Sequence, residues 1–121
     1  MSYDPENIFA KILEGSIPST EIDQTETTYT FADINPQADT HVLVIPKGAY
    51  TDLTDFAENA SDQELADWVR GLAQAAKTTG VADGGYRVIV NIGDHGHQEV
   101  PHLHGHVLGG HALGPMLTKR G

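Results

Sequence analysis

The sequence predicts an α+β fold, in which one short and one longer helix pack on a mainly antiparallel sheet of about five strands. Several short segments are rich in β-branched and aromatic residues, which is typical of strands. One longer segment instead repeats apolar residues at helical spacing. A chain of 121 residues is the length of one domain, which we place at 1–121.

The first part of the chain predicts a short helix and three strands. Asn7 is a suitable N-cap and Gly15 a suitable stop for the helix. Strands are predicted over 20–22 and 27–32, and over 41–45 before a proline. The apolar residues on one side of the helix are Ile8, Phe9, Ile12 and Leu13.

The second part predicts the longer helix and the last two strands. Ser61 and Glu64 have the spacing of a capping box, and Gly80 is a suitable end. We expect Trp68 to belong to the core or a subunit interface. Strands are predicted over 86–91 and over the histidine-rich segment near residue 104. The apolar residues at helical spacing are Leu65, Trp68, Val69, Leu72 and Ala76.

Three histidines occupy alternate positions, at His102, His104 and His106. Alternate residues of a β-strand share a face, so this spacing predicts three imidazoles over a cleft. The uncharged residues between them would then face the core. The sequence therefore predicts that function lies on the histidine face.

Two other interpretations compete with a catalytic one. An engineered histidine tag is consecutive and terminal, whereas these histidines alternate within the chain. Zinc is the stronger rival, because imidazole is a common metal ligand. At ~3.3 Å per residue, each outer Cα lies ~6.5 Å from the middle one, so an ion above the middle ring is beyond the outer two. This geometry favours phosphoryl or nucleotidyl transfer and predicts no metal and no cofactor.

The composition limits the partners. Seven Lys and Arg residues against seventeen Asp and Glu give a net charge of -10, which repels nucleic acid and anionic membranes. We expect a small phosphate-bearing ligand, with no polymeric nucleic acid and no membrane. The chain has no cysteine, and residues 1–6 lack a basic region followed by an apolar run. These features predict a cytoplasmic protein.

Four segments resemble one known family over residues 7 to 111. They are 8–12 with 17–18, 31–47, 86–91, and 102–108 with the two glycines that follow. The last segment has the pattern His-x-His-x-His-x-x with apolar x. Together they resemble the histidine triad nucleotide-binding family, and the glycine pair resembles its Hint-like branch.

The resemblance implies a role for each site residue. His104 matches the nucleophile, and His106 matches a residue that contacts the phosphate and helps the leaving group. His102 matches the member that holds the imidazole array. His41 matches a histidine that supports the triad through hydrogen bonds, although an ordinary strand histidine is the alternative.

The resemblance also implies nucleotide-binding residues. Asp33 matches the carboxylate that binds the ribose hydroxyls, but it is also a good turn residue. Asn91 matches a hydrogen-bonding residue on the phosphate side. It begins a loop over 91–101 whose glycines let backbone N–H groups converge on an anion. The residues that match the base-binding cleft are Ile8, Phe9, Ile12, Phe31, Ile34 and Leu43.

Four features depart from the family pattern. His97 stands where glycine is usual, and Glu99 stands where the animal Hint pattern has a serine beside the leaving group. We include both residues in the nucleotide site. Residues 6–9 lack the Cys-x-x-Cys pair with which several members bind zinc, and the tail over 112–121 lacks a Trp-Pro-Pro ending.

The resemblance implies a purine nucleoside 5'-phosphoramidate hydrolase that acts through a nucleotidyl-histidine. Three alternatives are a dinucleoside polyphosphate hydrolase, a nucleotidyl transferase, and a nucleotide-binding or interaction module with incidental turnover. It also implies a homodimer in which two sheets join through 86–91 and the longer helices pack together.

Overall fold

A computed structural model describes residues 2–118, and it contains a five-stranded antiparallel sheet in the order β1-β2-β3-β5-β4. Met1 and residues 119–121, the last part of the tail noted above, lie outside the described residues. The predicted fold class is confirmed. The strands are β1 (Glu21–Gln24), β2 (Thr28–Ala32), β3 (Thr40–Pro46), β4 (Tyr86–Val90) and β5 (Gly105–Gly109), and the helices are α1 (Ile8–Leu13), α2 (Leu53–Asn59) and α3 (Asp62–Thr78).

The predicted helix ends are present. The Asn7 side chain accepts a hydrogen bond from the backbone N–H of Ala10 at the start of α1. Both hydrogen bonds of the capping box form between Ser61 and Glu64 at the start of α3. After α3, Gly80 has φ 84°, a conformation that favours glycine.

One helix, α2, was not predicted. It has seven residues and begins at the N-cap Asp52, whose side chain accepts from the N–H of Asp55. Only Phe56 of this helix is buried. Its apolar residues Leu53, Phe56 and Ala57 do have helical spacing, but seven residues are shorter than the window over which periodicity is read.

The sheet carries a core on each face. On one face, α3 packs Trp68 and Leu72 against β3 and β5, and the indole Nε1–H of Trp68 donates to the Val44 carbonyl at 3.0 Å. On the other face lies a smaller core cluster, which contains Phe9 of α1 and Phe31 of β2. Because β3 contributes to both clusters, almost all of its residues are buried.

Two further features bear on partners. The edge strand β4 leaves Tyr86 39% and Val88 41% exposed, and Val69 of α3 is 61% exposed. Within residues 2–118, no helix is long and apolar enough to cross a membrane.

Candidate active site

The pairing of β3 with β5 brings His41 and His106 together. Leu43 lies opposite His106, and His41 lies opposite Leu108, so the two histidines are diagonal neighbours on one face of the sheet. The distance from His41 Nε2 to His106 Nδ1 is 2.9 Å. His41, which the resemblance matches to a histidine that supports the triad through hydrogen bonds, is therefore hydrogen-bonded to His106.

The predicted strand through His102 and His104 is wrong, because β5 begins only at Gly105. Gly105 pairs with Val44 near the end of β3, and the N–H of Leu103 instead donates to the carbonyl of Tyr50. The chain thus leaves the sheet before the first two histidines.

The expectation of three imidazoles over a cleft is also wrong, because only His104 and His106 line it. His102 has no exposed surface. The Phe9 ring lies 6.3 Å from the His102 ring and 4.9 Å from the His104 ring, measured between centroids, so both histidines lie near the same phenylalanine. His102 is the covered member of the triad.

Backbone groups determine the tautomer of His104. Its Nδ1 lies 2.8 Å from the carbonyl oxygen of His102, which can only accept, so Nδ1 carries the proton. Nε2 then holds a lone pair. Nε2 has no hydrogen-bond partner, yet it is not among the buried unpaired atoms of the described residues. It is therefore exposed, and His104 lines the cleft. An imidazole nitrogen in this state is a nucleophile.

A chain of hydrogen bonds gives His106 the opposite polarity. The backbone N–H of Gln37 donates to His41 Nδ1 at 3.0 Å, which leaves the His41 proton on Nε2. That Nε2–H donates to His106 Nδ1. His106 therefore carries its own proton on Nε2, and it presents an N–H group to the cleft beside the lone pair of His104.

Burial keeps these imidazoles neutral. Desolvation, together with the neighbouring His104 and His41 rings, lowers the pKa of His106 to about 4, against the opposing charges of Asp33 and Glu99. Desolvation also lowers the pKa of His104 and of His41. Near neutral pH each ring has one nitrogen lone pair and one N–H, as the tautomers above require.

His102 is held by two partners. Its Nε2–H donates to the Pro46 carbonyl at 2.8 Å, and the Tyr3 hydroxyl donates to its Nδ1 at 2.6 Å. Burial lowers the pKa of His102 to about 4, against the effect of the Pro46 carbonyl. The His102 carbonyl in turn accepts a hydrogen bond from His104. His102 therefore connects His104 to Tyr3 near the start of the chain.

The cleft has a volume of about 680 Å³. None of its lining residues is Lys or Arg, so an anion there meets the His104 and His106 imidazoles and no permanent cation. Of the predicted site residues, His41 and His102 do not line it. Those that do are Ile8, Phe9, Ile12, Phe31, Asp33, Ile34, Leu43, Asn91, His97, Glu99, His104 and His106.

Asp33 follows β2 and combines the two alternatives considered for it. Its Oδ1 accepts from the N–H of Asn35 at 2.8 Å, which is a turn contact. Its Oδ2 lies 3.4 Å from His41 Nε2, and the residue lines the cleft. The carboxylate therefore orders the turn and still faces the ligand space.

Three backbone N–H groups of the loop over 91–101 are already paired within the loop. The N–H groups of Gly93, His97 and Gln98 all donate to acceptors within the loop, so they do not converge on an anion. The Gly93 N–H donates to the Gln98 side chain, and the other two N–H groups donate to backbone carbonyls. Asn91 lines the cleft, but its Nδ2 donates to the carbonyl of Gly96 at 2.7 Å.

His97 and Glu99 lie side by side at the edge of the cleft, where they form an ion pair when His97 is protonated. The distance from His97 Nε2 to Glu99 Oε1 is 3.1 Å, and the two side chains are 84% and 77% exposed. His97 has φ 61° and is the one non-glycine residue within 2–118 with a positive φ.

One cluster could hold a metal. Asp33, His41 and His106 bring three possible ligand atoms within 4.8 Å of one another, a grouping that spacing within the triad did not predict. The hydrogen bond from Gln37 does not fit such an ion, because it places a proton on the His41 nitrogen that would bind it. The hydrogen bonds of His41 therefore do not suit a metal at this cluster.

Sequence reasoning missed three contributors to this network. Gln37 and Pro46 act through backbone groups, which no side-chain type marks. Tyr3 lies 99 residues from its partner His102, and a tyrosine near a chain end has no distinguishing pattern. Only the structure could identify these contacts.

Comparison with known proteins decides the family. The family model of the HIT domain matches residues 14–113, which is most of the chain. The chain belongs to the HIT family. The five-stranded sheet is therefore the HIT fold.

Relatives match over nearly their full length. The chain is 52% identical to a HIT-like protein of Azospirillum brasilense, covering 98% of this chain and 97% of that protein. It is 42% identical to the purine nucleoside phosphoramidase of Escherichia coli K12, with coverages of 96% and 97%.

Solved HIT structures agree with the fold. A HIT family hydrolase from Clostridium thermocellum has a TM-score of 0.84 and 38% identity, covering 93% of this chain and 97% of its own. A histidine triad protein from Clostridium difficile has a TM-score of 0.83 and 37% identity, with coverages of 96% and 100%.

Proposed function

We propose that this HIT protein is a purine nucleoside 5'-phosphoramidate hydrolase that forms a nucleotidyl intermediate on His104. Its similarity to HIT family hydrolases and to a purine nucleoside phosphoramidase supports a nucleotide hydrolase. The observation that carries the choice of mechanism is the hydrogen bond from His104 Nδ1 to the His102 carbonyl, which leaves Nε2 as a nucleophile at the cleft.

In the first step, His104 Nε2 attacks phosphorus. The Nε2–P bond forms, the bond from phosphorus to the amine breaks, and its electron pair leaves on the amine nitrogen, which takes up one proton. The ring becomes cationic, and its Nδ1–H still donates to the His102 carbonyl, which stabilises that charge. The Nε2–H of His106 donates to a phosphoryl oxygen.

In the second step, water attacks phosphorus. The new O–P bond forms, the Nε2–P bond breaks, and its electron pair returns to His104, while the water loses one proton. One proton is therefore consumed and one released in each turnover. Because burial keeps His106 neutral, we assign this exchange to Glu99 at the edge of the cleft.

The rest of the cleft suits a nucleotide. Phe9 and Phe31 meet edge to face at 5.5 Å between ring centroids and present apolar surface to a base. The Asp33 carboxylate would accept hydrogen bonds from ribose hydroxyls. Asn91 lies on the phosphate side.

We also propose that the protein is a homodimer in which β4 joins the two sheets. The exposed apolar residues Tyr86 and Val88 lie on that unpaired edge, and Val69 is exposed on α3. An edge strand with apolar side chains is a ready site for strand pairing. Analytical ultracentrifugation of the protein and of Val88→Lys tests this, since a dimer formed through β4 should dissociate in the variant.

Intact-mass analysis after rapid quenching tests the mechanism. The protein is mixed with a panel of purine nucleoside phosphoramidates and dinucleotides, and covalent nucleotide is measured before and during turnover. We expect a mass increase of one nucleotidyl group with the phosphoramidates, and none in His104→Ala. An adduct that persists in His104→Ala would exclude His104 as the nucleophile.

A further inference from the structure

The reaction proposed above needs a proton donor that the triad does not provide. The departing amine nitrogen takes up one proton, but His104 offers only a lone pair to the cleft, and burial holds His106 neutral. Any donor must therefore lie at the cleft and remain in contact with water, where its charged form is solvated.

His97 and Glu99 meet these conditions. Both line the cleft together with His104 and His106, and their Nε2 and Oε1 atoms lie 3.1 Å apart. His97 is 84% exposed, so water solvates its imidazolium form. Glu99 is close enough to the triad for its charge to act on both His104 and His106.

The loop holds this pair in place. The Gln98 side chain, between the two residues, donates to the carbonyls of Thr51 and Val100. Asn91 holds the carbonyl of Gly96, next to His97. At φ 61°, His97 has a backbone conformation that glycine adopts with less cost. An exposed ion pair contributes little to stability, so a structural role does not explain a histidine at this position.

We propose that His97 and Glu99 form a proton relay for the leaving group. In the first step, the proton of the His97 imidazolium passes to the Glu99 carboxylate, which donates it to the departing amine, so His97 becomes neutral and Glu99 is again a carboxylate. In the second step, the proton lost by the attacking water passes through Glu99 back to His97. The relay begins and ends each turnover with one proton, so no other donor is needed.

This inference rests on the proposed function, and it assigns different roles to the two residues. Glu99 contacts the leaving group and is the catalytic acid and base. His97 acts through Glu99 as a positioning residue that also stores the proton. The relay therefore matters most for basic alkylamine leaving groups, which need a proton to depart, and least for activated arylamines.

The test compares both substrate types in single-turnover reactions of His97→Gly, Glu99→Gln and the double variant. Glycine suits φ 61°, so His97→Gly should fold, and the exposed loop residue His95, which does not line the cleft, provides the matched control His95→Gly. Circular dichroism melts check that every variant folds.

We expect Glu99→Gln to slow the alkylamine substrate about 100-fold and His97→Gly to slow it about 10-fold, with less than about 3-fold change for the arylamine. In the Glu99→Gln background, removal of His97 should add less than about 2-fold, because the two residues act in series. Free imidazole should restore His97→Gly on the alkylamine, but it should not restore Glu99→Gln.

The results separate the two proposals. Equal slowing of both substrates, full additivity in the double variant, or no rescue by imidazole would overturn the relay while leaving the hydrolase intact. A wild-type protein that hydrolyses neither phosphoramidate would overturn the proposed function, and the relay with it.

Discussion

The buried imidazole of His102 should make the protein sensitive to mild acid. Its pKa is lowered from 6.5 to about 4, first because burial disfavours the imidazolium. The unfolded chain therefore binds a proton that the folded chain excludes, so this contribution to stability is complete above pH 6.5 and is lost as the pH falls to about 4. At ~1.36 kcal/mol per pH unit, the whole effect is about 3 kcal/mol, of which about 2 kcal/mol is lost between about pH 7 and pH 5.

The substitution His102→Gln isolates this effect, because an amide can donate to Pro46 but does not titrate in this range. Urea unfolding is followed by fluorescence of Trp68, the single tryptophan, which is 5% exposed. From pH 7 to pH 5 the wild-type protein should lose about 2 kcal/mol more unfolding free energy than the variant. The other buried histidines are common to both proteins and cancel. If the unfolding free energies of the wild-type protein and His102→Gln fall equally from pH 7 to pH 5, His102 is not a neutral buried imidazole. The exposed His95→Gln is the control and should behave like the wild-type protein.

Four further predictions concern activity and packing. His104→Ala should keep nucleotide affinity, measured by calorimetry, within a few-fold while turnover falls at least ~100-fold. Removing the substrate 2'-hydroxyl should lower kcat/KM about 10-fold in the wild-type protein and far less in Asp33→Ala, because both changes remove one hydrogen bond. Prolonged chelation should leave activity unchanged, whereas loss that zinc restores would support a metal site. Gly105→Ala should destabilise the protein by about 1–3 kcal/mol in urea, since its Cβ would lie 2.6 Å from Leu72 Cδ2.

Much of the fold could be predicted because its signals are local. The Asn7 cap and the Ser61 capping box require only side chains within one helical turn, and both are present. Strand β3 was predicted over 41–45 because that segment is rich in β-branched residues, although the strand extends from Thr40 to Pro46. Helix α2 was missed because its seven residues are shorter than the window over which helical periodicity is read.

The site was predicted less completely, because alternation within a segment does not determine where a strand begins. Strand β5 begins at Gly105, which lies opposite Val90, the last residue of its partner β4, and the termination of a partner is a long-range property. The loop glycines predicted anion-binding amides, but the Gln98 side chain occupies one of those N–H groups. Neither contact has a signal at the sequence level.

The triad shows why a motif can mark a site without assigning roles within it. Its three imidazoles are chemically identical, and each takes its polarity from the group to which it is hydrogen-bonded. The His102 carbonyl fixes the proton of His104 on Nδ1, and the Gln37 N–H fixes the proton of His106 on Nε2 through His41. Backbone groups do not titrate and are not changed by side-chain substitution, so the His104 lone pair remains in place as long as the fold does, whereas the His106 N–H group also depends on the His41 side chain. A substitution that moves the backbone near Gly105 should therefore alter the chemistry without changing any histidine.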